Sequence, residues 1–193
     1  MFSNISIGLD YAWWFPAIYL LITIAIMVIY GKGFTKKFLR LPGSKFKWKI
    51  PTILSSTLFS RGIMAYAIFI PIHFNTVWFW VGVVFFGGST ILSTLSMINF
   101  ATTPLDKPVT KGIYRISRHP IQVFAIIMLI GVGLVTASWI IIVLSLLLAV
   151  ISYPTFLIQE RSCLETYGNA YQKYMDTTPM WIGYSYLPIS NSR

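Results

Sequence analysis

Three residues at the two ends of a long apolar stretch have side chains suited to chemistry. Arg118 and His119 stand just before Pro120, about forty mostly apolar residues follow, and Glu160 closes the stretch. Residues 136–138 are small and predict a tight turn, so the stretch forms a helical hairpin. Both ends of such a hairpin lie on the same side of a membrane, where Arg118 and His119 can meet Glu160. We interpret this meeting point as the active site.

The types of these residues predict a site for a zwitterion. Pro120 suits the first turn of a helix because it has no N–H. Arg118 and His119 then lie at a helix N-terminus, where free backbone N–H groups favour an anion. A carboxylate such as Glu160 at the edge of an apolar run is costly unless it is paired, so it would hold an ammonium group. The alternatives are a membrane anchor for Arg118 and His119, and a water-boundary carboxylate that Arg161 or Lys173 neutralises.

The composition places the chain among membrane proteins. Of its 193 residues, 56% are hydrophobic and 10% are charged, and the mean hydropathy is +0.71; soluble domains carry about 25% charged residues. The net charge of +10 comes from basic clusters between apolar runs, which indicates binding to anionic lipid rather than to nucleic acid. We expect a single membrane domain over residues 1–193, with a three-span part (1–100) followed by a loop, a hairpin and a tail (101–193).

Five apolar runs predict an all-α integral membrane protein with about five transmembrane helices. With the N-terminus outside, the segments 31–49, 101–119 and 159–193 fall inside and hold 14 of the 15 Lys and Arg residues. The site then faces the cytoplasm, and the compact length favours a prokaryotic plasma membrane. The fourth run is short for a full span, so it is either tilted or incompletely crossing. The predicted spans are residues 13–30, 53–72, 77–100, 121–135 and 139–158.

Smaller patterns predict how these helices pack and end. The pair Gly87-Gly88 in the third span favours close approach of a neighbouring helix over a simple kink. Tyr167, Tyr171 and Tyr174 recur at helical spacing, so the fifth span should continue into the cytoplasm as an amphipathic helix. The tail that follows carries Trp181, Tyr184, Tyr186 and Leu187, which could rest on the membrane interface.

Several other kinds of site are not indicated. The sequence has no His, Cys, Asp and Glu cluster with metal-ligand spacing, so we expect no metal. Cys163 is the single cysteine and has no histidine nearby in sequence, which argues against a thiol nucleophile. No glycine-rich phosphate loop or dinucleotide fingerprint appears.

The combined spacing resembles a known family. The residues from Val109 through Gly112, Tyr114 and Arg118-His119-Pro120, and then from Glu160 to Tyr174, are similar to those of the integral-membrane methyltransferases. This superfamily includes isoprenylcysteine carboxyl methyltransferase and the phospholipid N-methyltransferases. The resemblance implies methyl transfer from S-adenosyl-L-methionine to an amphiphilic, lipid-like or prenylated acceptor: a carboxylate, or a phospholipid amine or thiol.

The resemblance also implies residue roles. Arg118, His119 and Glu160 would be catalytic, and the cofactor would bind on the cytoplasmic side of the last two spans. Arg61, which lies inside the second span, and the tyrosines Tyr167 and Tyr171 are further candidates for contacting the acceptor; Arg61 could instead be a snorkelling side chain. The implied cofactor residues are Val109, Tyr114, His119, Pro120, Ile121, Gln122 and Glu160.

The chain departs from the family pattern at four places. Gln122 replaces an aromatic residue, and Gln159 replaces the first of two glutamates. Phe156 and Thr178 stand where prenylcysteine enzymes carry arginines. The two missing arginines remove the obvious partners of a substrate carboxylate.

Two other functions remain open at this point. Membrane reductases of the steroid or sterol type use NADPH and share an Arg-His-Pro element, but they usually continue with Asn-Tyr, whereas this chain has Ile121-Gln122. A non-catalytic scaffold or a small transporter is the other alternative. Glu160 opposite Arg118 and His119 argues against a scaffold, and the scarcity of polar residues within the spans argues against a transporter.

Overall fold

Helices make up nearly all of the ordered secondary structure. A computed structural model describes the backbone of residues 10–39 and 49–183 and the side chains of residues 10–33 and 54–183. No strand occurs in these ranges, although Tyr11 and Pro71 form one isolated β-bridge. The prediction of an all-α protein is therefore confirmed. The helices are α1 (Trp14–Leu39), α2 (Lys49–Ala67), α3 (Val77–Thr102), α4 (Pro120–Val135), α5 (Trp139–Tyr167) and α6 (Asn169–Thr177), and a 3-10 turn covers Gly112–Arg115.

Three of these helices are long and apolar enough to cross a membrane. They are the part of α1 over Trp14–Gly33, together with α3 and α5. Helix α4 is apolar but has only 16 residues, which gives about 24 Å at 1.5 Å per residue against a hydrocarbon core of about 30 Å. All five predicted apolar runs thus contain a helix, and the five-span count and its orientation stay predictions.

Two predicted boundaries were wrong. The second span was expected to reach residue 72, but α2 ends at Ala67, and the following residues pair with the start of the chain: the Ala12 N–H donates to the Ile70 carbonyl at 2.9 Å. The basic segment after the first span was expected to be a loop from residue 31, but α1 continues to Leu39. Residues 40–48 lie outside the described part of the chain.

Helix α4 lies at the centre of the bundle. It packs between α3 and α5, while α1 adds to α3 and α2 adds to α5. None of its residues is exposed, which fits a helix that is apolar all round. Its side chains Met128, Leu129 and Val132 are almost fully buried in the main core. Arg118 and His119 directly precede the N-terminal end of this central helix, so the bundle holds that end in place.

The close approach of α3 and α4 depends on two glycines that the sequence did not single out. A Cβ atom on Gly82 would lie 2.6 Å from the Gly131 carbonyl oxygen, and one on Gly131 would lie 2.7 Å from the Phe86 nitrogen. The prediction that Gly87 and Gly88 make the close contact was wrong, since a Cβ on either would have nothing within 4 Å. The reason is rotational: Gly87 and Gly88 lie on a different face of α3 from the one that meets α4.

The hairpin of α4 and α5 has the predicted tight turn, but its second arm ends earlier than expected. At the turn, Ala137 adopts φ 48° and the Ser138 hydroxyl accepts the Ile141 N–H at 3.5 Å. The continuous helix predicted through Tyr174 was wrong, because Gly168 breaks it with φ 52°. A left-handed φ is readily adopted by glycine. The break lets α6 turn back toward the start of α4.

Candidate active site

The two ends of the hairpin meet, as the sequence predicted. The Glu160 carboxyl oxygen Oε1 lies 2.9 Å from Arg118 Nε and 3.2 Å from His119 Nε2. Glu160 is 4% exposed and His119 is 5% exposed. Both partners therefore converge on one oxygen of a buried carboxylate, in a place that solvent hardly reaches.

Arg118 is held by its charge and by one hydrogen bond. Its Nη1 donates to the Met175 carbonyl in α6 at 3.2 Å. Its Nε, although close to Glu160, makes no hydrogen bond among the described residues, because the N–H is not aimed at the oxygen. Arg118 and Glu160 therefore form an ion pair in which Nε makes no hydrogen bond, and the buried Nε–H of Arg118 has no acceptor among the described residues. A bound anionic group could satisfy that donor.

Aromatic rings hold His119 in place. Its ring stacks on Phe156 of α5, with the ring centroids 4.3 Å apart and an angle of 7° between the ring planes. Trp181 packs edge-on against Phe156, with the ring centroids 5.1 Å apart. Burial lowers the pKa of His119 from its usual 6.5, and the neighbouring Arg118 lowers it as well, while the hydrogen bond to Glu160 opposes the shift. His119 is therefore a neutral imidazole at physiological pH.

This neutral histidine predicts a pH effect on stability. As the pH falls below about 6.5, His119 becomes protonated in the unfolded chain but stays neutral in the folded chain, because its folded pKa is lowered. The free energy of unfolding therefore decreases by up to about 1.4 kcal/mol per pH unit until the pH reaches the folded pKa of His119. We expect His119→Asn to flatten this part of the dependence, measured as thermal unfolding in detergent between about pH 7.5 and about pH 5.5. His73→Asn, which changes the other histidine at an exposed position, is the control and should leave the dependence unchanged. An unaltered slope in His119→Asn would contradict the assignment.

A buried tyrosine of α6, Tyr174, positions the loop that precedes Arg118. The Tyr174 hydroxyl of α6 donates to the Tyr114 carbonyl at 2.6 Å, with the Ser117 carbonyl a further 3.3 Å contact. The 3-10 turn that presents Tyr114 begins at Gly112 with φ 60°, and a Cβ there would collide with the Asn99 side chain. Helix α6 and the end of α3 thus fix the loop from both sides.

The segment after α6 closes over the same loop. The Arg118 N–H donates to the Pro179 carbonyl at 3.0 Å, the Ser117 hydroxyl to the Met180 carbonyl at 3.1 Å, and the Gly183 N–H to the Ile116 carbonyl at 3.1 Å. We call residues 178–183 the strap. The prediction that Trp181 rests on the membrane interface was wrong, because it packs against Phe156 and the main core. Tyr184, Tyr186 and Leu187 lie outside the described residues.

A cavity opens beside the charged group. Its volume is about 180 Å³, or about 910 Å³ when all the space that opens to solvent is counted. Ligand sites usually measure about 300–1,000 Å³, so a cofactor-sized ligand would also occupy the space that is open to solvent. The wall is formed by Phe100, Pro108, Val109, Tyr114, Arg118, His119, Ile121, Gln122, Gln159, Cys163, Tyr167, Tyr171 and Tyr174.

Residues 76–170, from the residue before α3 to the start of α6, match the family model of the phospholipid methyltransferases. Over this segment the chain is similar to the phospholipid methyltransferases, which agrees with the resemblance to the integral-membrane methyltransferases. No curated protein and no solved structure matches the chain. The matched segment contains both arms of the hairpin and the charged group, so the resemblance inferred from the sequence is confirmed for that segment.

Eight of the predicted site residues reach the cavity and three do not. Glu160 lies behind Arg118 and His119 rather than on the wall, and Pro120 is buried in the first turn of α4. Arg61, which precedes the matched segment, is exposed on α2 and is not brought to the cavity. The predicted residues on the wall are Val109, Tyr114, Arg118, His119, Ile121, Gln122, Tyr167 and Tyr171.

Five residues of the cavity wall were not predicted as site residues. Tyr174 could have been found, because it continues the helical spacing of Tyr167 and Tyr171. Gln159 and Cys163 lie within one helical turn of Glu160 and could also have been found. Phe100 and Pro108 carry no sequence signal for binding. Among the described residues, no group of three His, Cys, Asp or Glu side chains is placed to hold a metal ion.

Proposed function

We propose that the protein is a membrane enzyme that transfers a methyl group from S-adenosyl-L-methionine to an amphiphilic acceptor. The observation that carries the proposal is the contact of Arg118 and His119 with Glu160 at the wall of a tyrosine-rich cavity, inside a methyltransferase segment. The proposed topology has five spans with the cavity on the cytoplasmic side, where 14 of the 15 basic residues would lie. The cofactor would enter from the cytoplasm and the acceptor from the bilayer.

The residues present fit this cofactor. Its amino acid end carries a carboxylate, and the cavity wall offers the Arg118 guanidinium, whose buried Nε–H has no hydrogen-bond partner and whose charge is balanced by Glu160 behind it. Tyr114, Tyr167 and Tyr171 line the cavity, and their aromatic rings suit stacking on a purine base. Bound there, the cofactor would supply an electrophilic methyl group on a sulfonium.

The protein's own contribution would be alignment and exclusion of water. Arg118 would hold the charged end of the ligand, and the buried Glu160 behind it would hold Arg118 in place. His119 would be kept at the wall by its stack on Phe156, whose edge contacts Trp181. The tyrosines keep their hydroxyl protons, since burial raises the pKa of Tyr114, Tyr171 and Tyr174 well above the usual 10.0.

Binding of S-adenosylhomocysteine to the purified protein tests the proposal. We expect calorimetry to give a dissociation constant of about 1–100 µM, which corresponds to about 5–8 kcal/mol. The only cysteine, Cys163, lines the cavity, so a maleimide should label it more slowly when the ligand is bound. Folded protein that binds NADPH and not S-adenosylhomocysteine would reject the methyltransferase proposal in favour of a reductase. Binding without protection of Cys163 would place the ligand elsewhere.

A further inference from the structure

An arginine of α2 lies at a depth where membrane proteins seldom carry a charge. Exposed tryptophans mark the end of the bundle opposite the cavity, where Trp14, Trp78 and Trp139 each lie in the first turn of a helix. Such a ring of tryptophans is typical of a membrane interface. The C-terminal end of α2 reaches the same end of the bundle, and Arg61 lies six residues before it. At 1.5 Å per residue, Arg61 is about 9 Å below the interface.

Helix α5 places Arg61 at the same depth. The residues that follow Arg61, Gly62 and Ile63, line a groove together with Leu144 of α5. Leu144 lies five residues after the start of α5 at Trp139, which is about 8 Å along the helix. Since α2 packs along α5, and α5 is long and apolar enough to cross a membrane, the proposed topology places Arg61 in the hydrocarbon region.

Arg61 has no counter-ion within the protein. All five acidic residues of the chain lie in its described part, and none of them forms an ion pair with Arg61. The arginine is exposed, and a Cβ atom on the adjacent Gly62 would have nothing within 4 Å. An unpaired cation in the hydrocarbon region is costly, and a charge retained there usually marks a functional site.

Snorkelling to the nearer interface does not account for Arg61. Side chains on a helix lean toward its N-terminus, whereas the nearer interface lies at the C-terminal end of α2. The guanidinium is therefore directed away from that interface and toward the middle of the bundle. The N-terminal end of α2, at Lys49, is twelve residues or about 18 Å away, which is farther than an arginine side chain reaches.

Hydroxyl groups of α1 and α3 lie near this arginine. The charge of Arg61 acts on the Tyr19 hydroxyl, which also has the side chains of Thr23 and Ser93 as neighbours. Ser93 is completely buried, yet its Oγ makes no hydrogen bond of normal geometry in the described part of the chain. Helix α1 packs mainly on α3 and α2 mainly on α5, so α1 and α2 contact each other little. A lipid can therefore approach Arg61 between α1 and α2.

We propose that Arg61, Tyr19 and Ser93 form a second binding site, which holds the carboxylate of a single-chain lipid acid between α1 and α2. A carboxylate supplies the one negative charge that Arg61 lacks, and it accepts two hydrogen bonds from a guanidinium in a bidentate pair. The Tyr19 hydroxyl, backed by Ser93, supplies a further donor. A phospholipid would have to draw its glycerol and both of its chains down with its phosphate, whereas a lipid acid brings only its carboxylate to this depth. The inference rests on the proposed topology and not on methyl transfer.

This site is separate from the cavity. On α5, Leu144 lies at the level of the site and Gln159 lies at the cavity wall, and the 15 residues between these two positions correspond to about 22 Å. Tyr19 and Arg61 also precede the segment 76–170 that matches the phospholipid methyltransferases. The bound lipid acid is therefore not the methyl acceptor. Its role is to join α1 to α2, which have few contacts of their own.

Binding of radiolabelled palmitate to the full-length protein in dodecyl maltoside tests the proposal, with 1-hexadecanol and phosphatidylglycerol as competitors. The alcohol has the same chain without the charge, and phosphatidylglycerol supplies the anion of a bilayer phospholipid. We expect palmitate to bind at least about tenfold more tightly than either competitor. Palmitate should also raise the temperature of thermal unfolding, because it binds the folded protein only.

Arg61→Gln removes the cation and should reduce the affinity for palmitate to that for 1-hexadecanol. Arg115→Gln makes the same change at another exposed arginine and is the matched control, so it should bind palmitate like the wild type. Tyr19→Phe removes a single hydroxyl and should weaken palmitate binding by about tenfold. This third variant keeps the test decisive if Arg61→Gln does not fold.

Three results would overturn the inference. Equal affinity for palmitate and 1-hexadecanol would mean that the site does not select an anion. Tighter binding of phosphatidylglycerol than of palmitate would make the occupant a bilayer phospholipid. Wild-type affinity for palmitate in folded Arg61→Gln protein would place the lipid elsewhere. Affinity for S-adenosylhomocysteine, measured on the same preparations, should not change in Arg61→Gln, so failure of this inference and failure of the proposed function are distinct results.

Discussion

Glu160→Gln is expected to weaken S-adenosylhomocysteine binding by at least about 100-fold, because losing one partner of a buried charge pair costs about 2–5 kcal/mol. The carboxylate is 4% exposed, and both Arg118 and His119 contact its Oε1 atom. The amide keeps the shape of the side chain but removes the negative charge that holds Arg118 at the cavity wall. Calorimetry on the folded variant measures the loss.

The same substitution should also destabilise the protein, so binding and folding must be separated. An unpaired Arg118 in a buried place costs about 3–5 kcal/mol. We expect the double variant Arg118→Gln, Glu160→Gln to recover much of this stability without recovering binding. A double-mutant cycle of the wild type, the two single variants and the double variant gives the coupling energy between Arg118 and Glu160, once for ligand binding and once for unfolding.

Glu165→Gln is the control for this series, since it makes the same chemical change on an exposed turn of α5. It should change neither binding nor unfolding. Wild-type affinity in a well-folded Glu160→Gln protein would contradict the assigned role. Recovery of binding in the double variant would show that Glu160 acts only on folding.

Substitution of Gly131 is expected to have the largest effect on folding. A Cβ atom there would lie 2.7 Å from the Phe86 nitrogen and 2.9 Å from the Gly82 oxygen, and backbone atoms of a packed helix cannot yield cheaply. We expect Gly131→Ala to cost about 1–3 kcal/mol and Gly131→Leu to abolish the folded state. Thermal unfolding monitored by size-exclusion chromatography in detergent measures both.

Gly88→Ala, in the neighbouring helix α3, is the matched control. A Cβ at Gly88 has nothing within 4 Å, and alanine favours a helix over glycine by about 1 kcal/mol. The variant should therefore be as stable as the wild type or slightly more stable. Equal destabilisation by Gly88→Ala and Gly131→Ala would mean that helical propensity, and not the α3–α4 contact, governs the result.

The sequence predicted the parts of this fold that depend on local pattern. Apolar runs placed the helices, Pro120 marked the start of α4, and the charges at the two ends of the hairpin predicted the contact of Arg118 and His119 with Glu160. Each of these follows from composition and from a hairpin that returns to its starting side.

The parts that the sequence did not predict depend on rotation and on long-range contacts. Both Gly82 and Gly88 lie in α3, and only the angle at which α4 meets it decides which one is crowded. Nothing in the sequence near Phe100 indicates that this side chain packs against the buried tyrosines Tyr114, Tyr171 and Tyr174. Trp181 resembled an interfacial residue because its partner, Phe156, comes 25 residues earlier in the chain.

The strap determines when the loop that carries Arg118 can be completed during synthesis of the chain. The carbonyl of Pro179 accepts the Arg118 N–H, and the Gly183 N–H reaches back to Ile116, so the last described residues complete a loop made some sixty residues earlier. A ribosome extends the chain in one direction only, which means that both arms of the hairpin have been synthesised before these bonds can form. The loop that carries Arg118 is thus completed only after the strap has been made, and a chain interrupted before Pro179 lacks these contacts.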